Sequence, residues 1–276
     1  MNGNGTAVRR PGRARFVALP AERAHHGVIR PSEAGPTGAA MIDSTVQVVA
    51  PPRRSVRAFL RWVAESCEPG DRVLDIGAGV SHSGPLTPLT RKAVHLVGVD
   101  PDGAIELNGA LQERHRTSLE LFAEEHEGEF DAAFAVYVLE HVADPAAFMA
   151  ACSRVLRPGG TFFALTPNVR QYFGATTWAL TRLGLSDRVL ERLKGHEDAH
   201  DHHFPPQYRL NSMSALRRHL DAAGFGTVDF RCFDETARYG WYLPDGLRWV
   251  APAYTRLAYG IGRGCLMGHL SLRAEK

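Results

Sequence analysis

Short apolar runs alternate with amphipathic stretches through the first two thirds of this chain. The runs cover residues 72–76, 95–99, 130–138 and 161–166, and the third is apolar almost throughout. An apolar run without alternation is typical of a strand that is covered on both faces. Strands that alternate with helices at this spacing predict a parallel sheet with helices packed on both sides.

Helix end signals mark the segments between these runs. Asp144 followed by Pro145 predicts a helix start, because aspartate caps the first backbone N–H groups and proline suits the first turn. Ser55 predicts a second start, and Gly224 ends a helix that we predict over 212–223. The remaining predicted elements are helices over 103–114 and 171–194, a strand over 118–122, and closing strands over 228–233 and 269–274.

The domain organisation follows from composition along the chain. Residues 1–45 are rich in glycine, proline, alanine and arginine without a sustained period, which indicates a flexible basic leader. Residues 46–276 fit one α/β domain. An insertion is expected at about 168–211, where the helix over 171–194 and a histidine-rich loop would form a helical lid.

Charge and cysteine usage exclude several classes of function. Six arginines and one glutamate lie in the first 30 residues, whereas the whole chain carries a formal net charge of +2. The rest is therefore mildly acidic, which argues against nucleic-acid binding. No apolar run approaches the ~20 residues that span a bilayer, so we expect no membrane partner. No CxxC pair occurs, and we expect a cytoplasmic protein with reduced thiols at the four cysteines, Cys67, Cys152, Cys232 and Cys265.

The sharpest motif is a glycine turn between two predicted strands. An apolar strand runs through Asp75 into Gly77-Ala78-Gly79, and the two glycines permit close approach of the backbone to a ligand. The next strand ends at Asp100, where a carboxylate accepts hydrogen bonds from the two hydroxyls of a ribose. A ligand that carries a nucleoside is therefore expected at this edge of the sheet.

The details of the turn disfavour a dinucleotide. His82 stands where a dinucleotide fingerprint has its third glycine, and Asp75 would repel a pyrophosphate. A ligand with an ammonium group suits that carboxylate better. S-adenosylmethionine has an ammonium group and a ribose but no phosphate, whereas a dehydrogenase would need the disfavoured dinucleotide.

Four segments in order carry a resemblance to a known family. They are VLDIGAG at 73–79, VGVDP at 97–101, FDAAFAVYVLEHVADP at 130–145 and LRPGGTFFALTPN at 156–168. With them the chain resembles class I S-adenosylmethionine-dependent methyltransferases, in the branch that includes ubiquinone-biosynthesis-like enzymes. The resemblance implies a doubly wound, seven-stranded, mostly parallel Rossmann-like sheet with the last strand antiparallel.

The resemblance also implies site residues. Gly77 and Gly79 would line the methionine end of the cofactor, with Asp75 near its ammonium group and Asp100 on the ribose. Residues 119–122 occupy the region that contacts adenine in relatives, and Arg57 is either a partner for the cofactor's carboxylate or an exposed helix arginine. The expected cofactor-binding set is Asp75, Gly77, Ala78, Gly79, Asp100, Pro101 and Val136.

The chemistry beyond the cofactor rests on His141. A general base is needed when the acceptor is an alcohol or phenol, and histidine titrates in the right range. The alternative is that His141 shapes the turn and the pocket. Some relatives bind a divalent metal ion with an E-x-x-E-H segment, but Tyr137 replaces the first glutamate here. Only Glu140, His141 and either His202 or His203 remain as ligands, and we expect no metal.

We therefore predict methyl transfer from S-adenosylmethionine to an oxygen, with nitrogen as second choice, of a small-molecule acceptor. Since such a transfer is an in-line displacement, the enzyme mainly aligns the two reactants. The alternative is a protein of this fold that binds the cofactor or a metabolite without transferring methyl. The sequence indicates neither the acceptor nor an oligomeric state.

Overall fold

A computed structural model describes residues 43–80, 86–171, 206–235, 246 and 248–276. Within these residues one mixed sheet holds eight strands in the spatial order β1-β7-β8-β6-β5-β2-β3-β4. The strands are β1 (Asp43–Val48), β2 (Arg72–Ile76), β3 (His95–Val99), β4 (Glu113–His115), β5 (Phe130–Val136), β6 (Leu156–Pro167), β7 (Thr227–Phe233) and β8 (His269–Glu275).

Strand directions place the functional end of the sheet. All neighbouring strands pair in parallel except that β8 runs antiparallel to both β6 and β7. The carboxyl ends of seven strands therefore share one edge with the start of β8. Ligands of open α/β sheets bind in the crevice at this edge.

Helices cover both faces of the sheet, as predicted. They are α1 (Ser55–Glu65), α2 (Thr87–Arg91), α3 (Leu119–Glu125), α4 (Pro145–Val155), α5 (Met213–Ala222) and α6 (Val250–Ile261). Two apolar cores result: α1 and α2 pack on one side, while α3, α4 and α5 pack on the other. The consecutive residues Phe162 and Phe163 of β6 enter opposite cores, because side chains alternate along a strand.

The strand count differs from the predicted seven. The additional strand is β1, which pairs in parallel with β7 at the edge of the sheet and begins at Asp43, within the segment interpreted as leader. Its side chains are only partly buried, so its sequence lacks the apolar run that identified the inner strands. Its partner strand lies more than 180 residues along the chain, and local pattern cannot show such a pairing.

The prediction for residues 103–122 was wrong in two places. Gly103–Leu107 forms only a short 3-10 turn, and the edge strand is β4 rather than 118–122. Ser118 instead caps α3 by accepting a hydrogen bond from the N–H of Leu121. Leu119 and Phe122 are buried at the i, i+3 spacing of a helix, and this spacing prevailed over their strand propensity.

Most of the other predicted helix starts and ends are confirmed. Asp144 accepts hydrogen bonds from the N–H groups of Ala146 and Ala147, with Pro145 as the first residue of α4. The helix predicted over 212–223 is α5, and Gly224 follows it with a φ of 85°. Ser55, predicted as a cap, is instead the first residue of α1, and Arg54 precedes it without a capping side-chain bond.

Several predicted segments lie outside the described residues: most of the leader, most of the helix over 171–194, and the histidine-rich loop as far as residue 205. The two ends of the predicted insertion are described, and the N–H of Val169 donates to the carbonyl oxygen of Asn211 at 2.9 Å. Within the described part of the chain, no helix is both long and apolar enough to cross a bilayer.

Candidate cofactor and acceptor site

The glycine turn after β2 adopts the conformation for which glycine is needed. Gly77 and Gly79 have φ angles of 71° and 41°, in the left-handed region that disfavours side chains. The N–H groups of Gly77 and Ala78 both point to the carbonyl oxygen of Val99, at 2.8 and 3.4 Å. The turn from β2 is thus tied to the end of β3.

Asp100 lies at the end of β3, as predicted, and faces this turn. Its carboxylate accepts the N–H of Gly79 at 2.9 Å and the N–H of Asp102 at 2.7 Å. The residue is only 9% exposed. Two backbone donors therefore hold the carboxylate in one orientation, with lone pairs remaining for a ligand's hydroxyl groups.

Asp75, in β2, is 7% exposed, and no hydrogen bond from the described residues reaches its carboxylate. Burial, and then the charge of Asp100, raise the pKa of Asp75 well above its ordinary value. A buried carboxylate without a partner is costly, and a ligand with a positive group would relieve that cost. The site therefore favours a cationic ligand over an anionic one.

Asn108 is a residue of this site that the sequence reasoning missed. Its side-chain amide donates to the carbonyl oxygens of Ala78 and Gly79, at 3.2 and 3.1 Å, and the residue is 1% exposed. The signal available was the dipeptide Asn108-Gly109, which is typical of a turn and argues against a helix continuing to 114.

The other predicted cofactor contacts are placed less decisively. Ala78 is buried within the turn, Pro101 is exposed beside Asp100, and Val136 packs at the end of β5. Arg57 is half-buried on α1 and makes no hydrogen bond or ion pair to any described residue. The predicted adenine region, residues 119–122, belongs to α3. Ser81 and His82 lie outside the described residues.

An aromatic row crosses the same edge next to β5. Tyr137 follows β5 with a φ of 56°, and its N–H donates to the carbonyl oxygen of Leu165. Its ring meets the ring of His269 edge-on at 6.2 Å, and His269 in turn stacks on Phe233 at 5.1 Å. A non-glycine residue in the left-handed region costs about 1–3 kcal/mol, and such residues cluster at functional sites. Sequence reasoning missed His269 because it is the first residue of β8, and only the insertion of β8 between β6 and β7 places it at this edge.

Glu140 and His141 lie on a 3-10 turn, Leu139–His141, that follows β5. The buried Glu140 carboxylate accepts the hydroxyl of Thr166 at 3.2 Å, and Thr166 accepts the side-chain amide of Asn211 at 2.6 Å. Glu140 is therefore engaged by its own fold. His141 is half-buried at the carboxyl edge of the sheet, where a base could face an acceptor.

The described residues contain no group of three or more histidine, cysteine, aspartate or glutamate side chains arranged to hold a metal ion. His202 and His203 lie outside the described residues.

Comparison with known proteins identifies the family. A family model described as a methyltransferase domain matches residues 50–229, well over half of the chain. The chain belongs to the methyltransferase domain family. The resemblance to class I S-adenosylmethionine-dependent methyltransferases that the four motifs carried is thereby confirmed.

Relatives of this chain include two curated proteins named ubiquinone biosynthesis O-methyltransferase. The one from Aromatoleum aromaticum is 40% identical over 108 residues, which cover 36% of this chain and 45% of the relative. The one from Hahella chejuensis is 38% identical over 109 residues, covering 36% and 44%. The chain thus spans about half the length of the curated relatives that it matches.

Solved structures show the same fold. A SAM-dependent methyltransferase from Archaeoglobus fulgidus aligns with a TM-score of 0.55 at 17% identity, covering 82% of this chain and 95% of that one. A possible histamine N-methyltransferase from Thermotoga maritima aligns with a TM-score of 0.51 at 14% identity, covering 79% and 88%. The predicted Rossmann-like methyltransferase fold is confirmed.

Proposed function

We propose that this methyltransferase binds S-adenosylmethionine across the ends of β2 and β3 and transfers its methyl group to an oxygen of a small molecule. The observation that carries the proposal is the pair of buried carboxylates, Asp75 and Asp100, on either side of the glycine turn. Only Asp75 lacks a hydrogen-bond donor among the described residues. The ammonium group of S-adenosylmethionine supplies that donor with a positive charge, and its ribose hydroxyls suit Asp100.

The proposed roles follow the carboxyl edge of the sheet. With the ribose on Asp100, the methionine half lies over Gly77 and Gly79, and the methyl group points toward the turn after β5. The acceptor oxygen attacks the methyl carbon as the carbon–sulfur bond breaks, which leaves S-adenosylhomocysteine. Oxygen is the preferred acceptor atom because the curated relatives are named O-methyltransferases.

Calorimetric titration with S-adenosylmethionine tests the cofactor assignment. The wild type is expected to bind, and Asp100→Ala is expected to bind at least about a hundredfold more weakly, since it loses charge-assisted hydrogen bonds. Asp131→Ala is the matched control: Asp131 also accepts a backbone N–H, from Arg72 at 2.7 Å, but at the opposite edge of the sheet. It should bind the cofactor like the wild type.

The same titration with an oxidised nicotinamide dinucleotide should show no binding, because the pyrophosphate would meet Asp75. A folded wild type that binds no S-adenosylmethionine would refute the proposal. Cofactor binding without transfer of labelled methyl to any of a panel of phenols, alcohols and amines would favour the binding-protein alternative instead.

His141 is the proposed general base for a hydroxyl acceptor. For an acceptor found in that panel, His141→Ala should lower kcat by about 10²–10⁴-fold with little change in cofactor affinity. A protonated general base is inactive, so the kcat of the wild type should fall at low pH. This fall in kcat should disappear in His141→Gln. Unchanged kcat in both variants would leave His141 with a role in shaping the turn only.

A further inference from the structure

The glycine turn is held from two sides. Val99 and Asp100 accept the three N–H groups of residues 77–79, and the side chain of Asn108 donates to the two carbonyl oxygens of Ala78 and Gly79. Among the described residues, no other donor reaches those two oxygens. A glycine can adopt more backbone conformations than other residues. Hydrogen bonds from outside the turn are therefore needed to hold Gly77 and Gly79 in a single conformation.

Asn108 is itself anchored on its other atoms. Its Oδ1 accepts the N–H of Ala110 at 3.2 Å, which closes a local turn. Its backbone oxygen accepts Nε of Arg114 at 2.8 Å, and Nη2 of Arg114 bonds the carbonyl oxygen of Leu111 at 2.9 Å. Because Arg114 belongs to β4, Asn108 connects the edge strand to the glycine turn after β2: its backbone oxygen is bonded by β4, and its side chain bonds the turn.

We propose that Asn108 is a positioning residue that holds the glycine turn in the conformation required by the amino-acid half of the cofactor. The inference rests on the proposed function, because it takes S-adenosylmethionine as the ligand. Asn108 acts through Ala78 and Gly79 and does not itself touch the ligand. The ribose and adenine, held at Asp100 and beyond, depend on it less.

Asn108→Asp separates this role from the local turn. Aspartate keeps an oxygen for the N–H of Ala110 but replaces the donating amide with a second oxygen that faces the two carbonyl oxygens. The added negative charge would by itself favour a cationic ligand, so weaker binding cannot be attributed to charge. Asn108→Ala, which leaves both carbonyl oxygens unpaired without repulsion, is the milder variant.

Asn168→Asp is a closely matched control. Asn168 is 2% exposed, donates its side-chain amide to the carbonyl oxygens of Cys265 and Met267, and accepts the N–H of Arg170 on Oδ1. The same atoms make the same kinds of bond there, but after β6 and away from the glycine turn. The loss of these amide hydrogen bonds in Asn168→Asp should lower the unfolding midpoint without changing the affinity for S-adenosylmethionine.

The test compares two ligands by calorimetry on folded wild type and variants. S-adenosylmethionine should bind at least about tenfold more weakly to Asn108→Asp, with Asn108→Ala between it and the wild type. 5′-Methylthioadenosine, which has the ribose and adenine but no amino-acid group, should lose less than about threefold in either variant.

Two outcomes would overturn the assignment of Asn108. In one, both variants bind S-adenosylmethionine like the wild type; in the other, both ligands weaken equally, which indicates general damage to the site. If Asn108→Asp does not fold, the ligand ratio of Asn108→Ala decides. A wild type that does not bind S-adenosylmethionine would instead refute the proposed function.

Discussion

Asp75→Asn is expected to stabilise the ligand-free protein while it removes most of the affinity for S-adenosylmethionine. The Asp75 carboxylate is buried, has no hydrogen-bond donor among the described residues, and lies in the field of Asp100. A neutral amide removes the buried charge and its repulsion. We expect the unfolding midpoint to rise by roughly 2–4 °C for each kcal/mol gained.

Cofactor binding should move in the opposite direction. An ammonium group loses its charged partner in Asp75→Asn, and the affinity should fall by about a hundredfold. Thermal unfolding with and without S-adenosylmethionine measures both effects in one experiment, since a ligand raises the midpoint by an amount that grows with the logarithm of its concentration divided by its Kd. The wild type should show a large shift and the variant almost none.

The pH dependence follows from the raised pKa of Asp75. The native ligand-free state takes up a proton more readily than the unfolded chain, so this group's contribution to stability falls as pH rises from the ordinary value of 3.8 through the raised pKa. The cofactor's ammonium group prefers the charged carboxylate, so affinity should weaken as pH falls through the same window. Asp75→Asn should flatten both dependences.

Asp131→Asn is the control, and its expected change in the unfolding midpoint is opposite to that of Asp75→Asn. Asp131 accepts the N–H of Arg72 and pairs with Arg157 at 2.7 Å, so its carboxylate is satisfied in the fold. Its replacement should lower the unfolding midpoint and leave cofactor affinity unchanged. If Asp75→Asn also lowered the midpoint, the carboxylate would be a stabilising group, and the argument for a cationic ligand would fail.

Gly77→Ala is expected to be the most damaging single substitution in the turn. A Cβ at Gly77 would overlap Cγ2 of Val138, and the φ of 71° disfavours any side chain. The backbone strain costs about 1–2 kcal/mol, and the overlap adds about 1–3 kcal/mol. The turn must shift to relieve both, so S-adenosylmethionine binding should be lost with the stability.

Two glycines separate these contributions. Gly79→Ala has a φ of 41°, and among the described residues its new Cβ meets only Oδ2 of Asp100, at 3.8 Å, so it should cost stability through backbone strain alone. Gly70→Ala, with a φ of 92° and no atom of the described residues within 4 Å of the new Cβ, should likewise lose stability. It should keep cofactor affinity, because Gly70 precedes β2 and so lies at the opposite edge of the sheet. In chemical unfolding, Gly77→Ala should have the lowest free energy of unfolding of the three variants.

A double-mutant cycle checks the steric part. Val138→Ala removes the methyl group that a new Cβ would overlap, so Gly77→Ala should cost less in that background, and the two changes should couple. Independent, additive effects would mean that the clash with Val138 is absent in solution and that backbone strain alone acts at Gly77.

The positions of the glycine turn and its two acids were predictable because their signals are local. Asp75, Gly77 and Gly79 lie within one strand and its turn, and Asp100 ends the next strand. Parallel strands bring their carboxyl ends to one edge, so two neighbouring strand–turn motifs suffice to place the acids and the turn together. No long-range information was needed for these four positions.

Asn108 shows where local reasoning stopped. Its two partners, Ala78 and Gly79, lie 30 and 29 residues earlier, and the apolar spacing around it indicated a longer helix. A bond of that kind depends on how β4 and the glycine turn pack across β3. The same reason applies to the edge strand β1, whose partner β7 lies far along the chain.

The sequence alone thus determined the family, the alternation of strands and helices, and the positions of the glycine turn and its two acids at one edge of the sheet. Hydrophobic periodicity and glycine turns are encoded within a few residues, so most of these elements could be predicted without knowledge of their partners in the fold. Only the tertiary structure showed the eighth strand, the hydrogen bonds from Asn108 to the glycine turn, and the aromatic row of Tyr137, His269 and Phe233. Each of these features depends on the order of the strands in the sheet. Strands that are distant in the chain become neighbours there, and the free energy of their pairing is shared among residues that no local pattern connects.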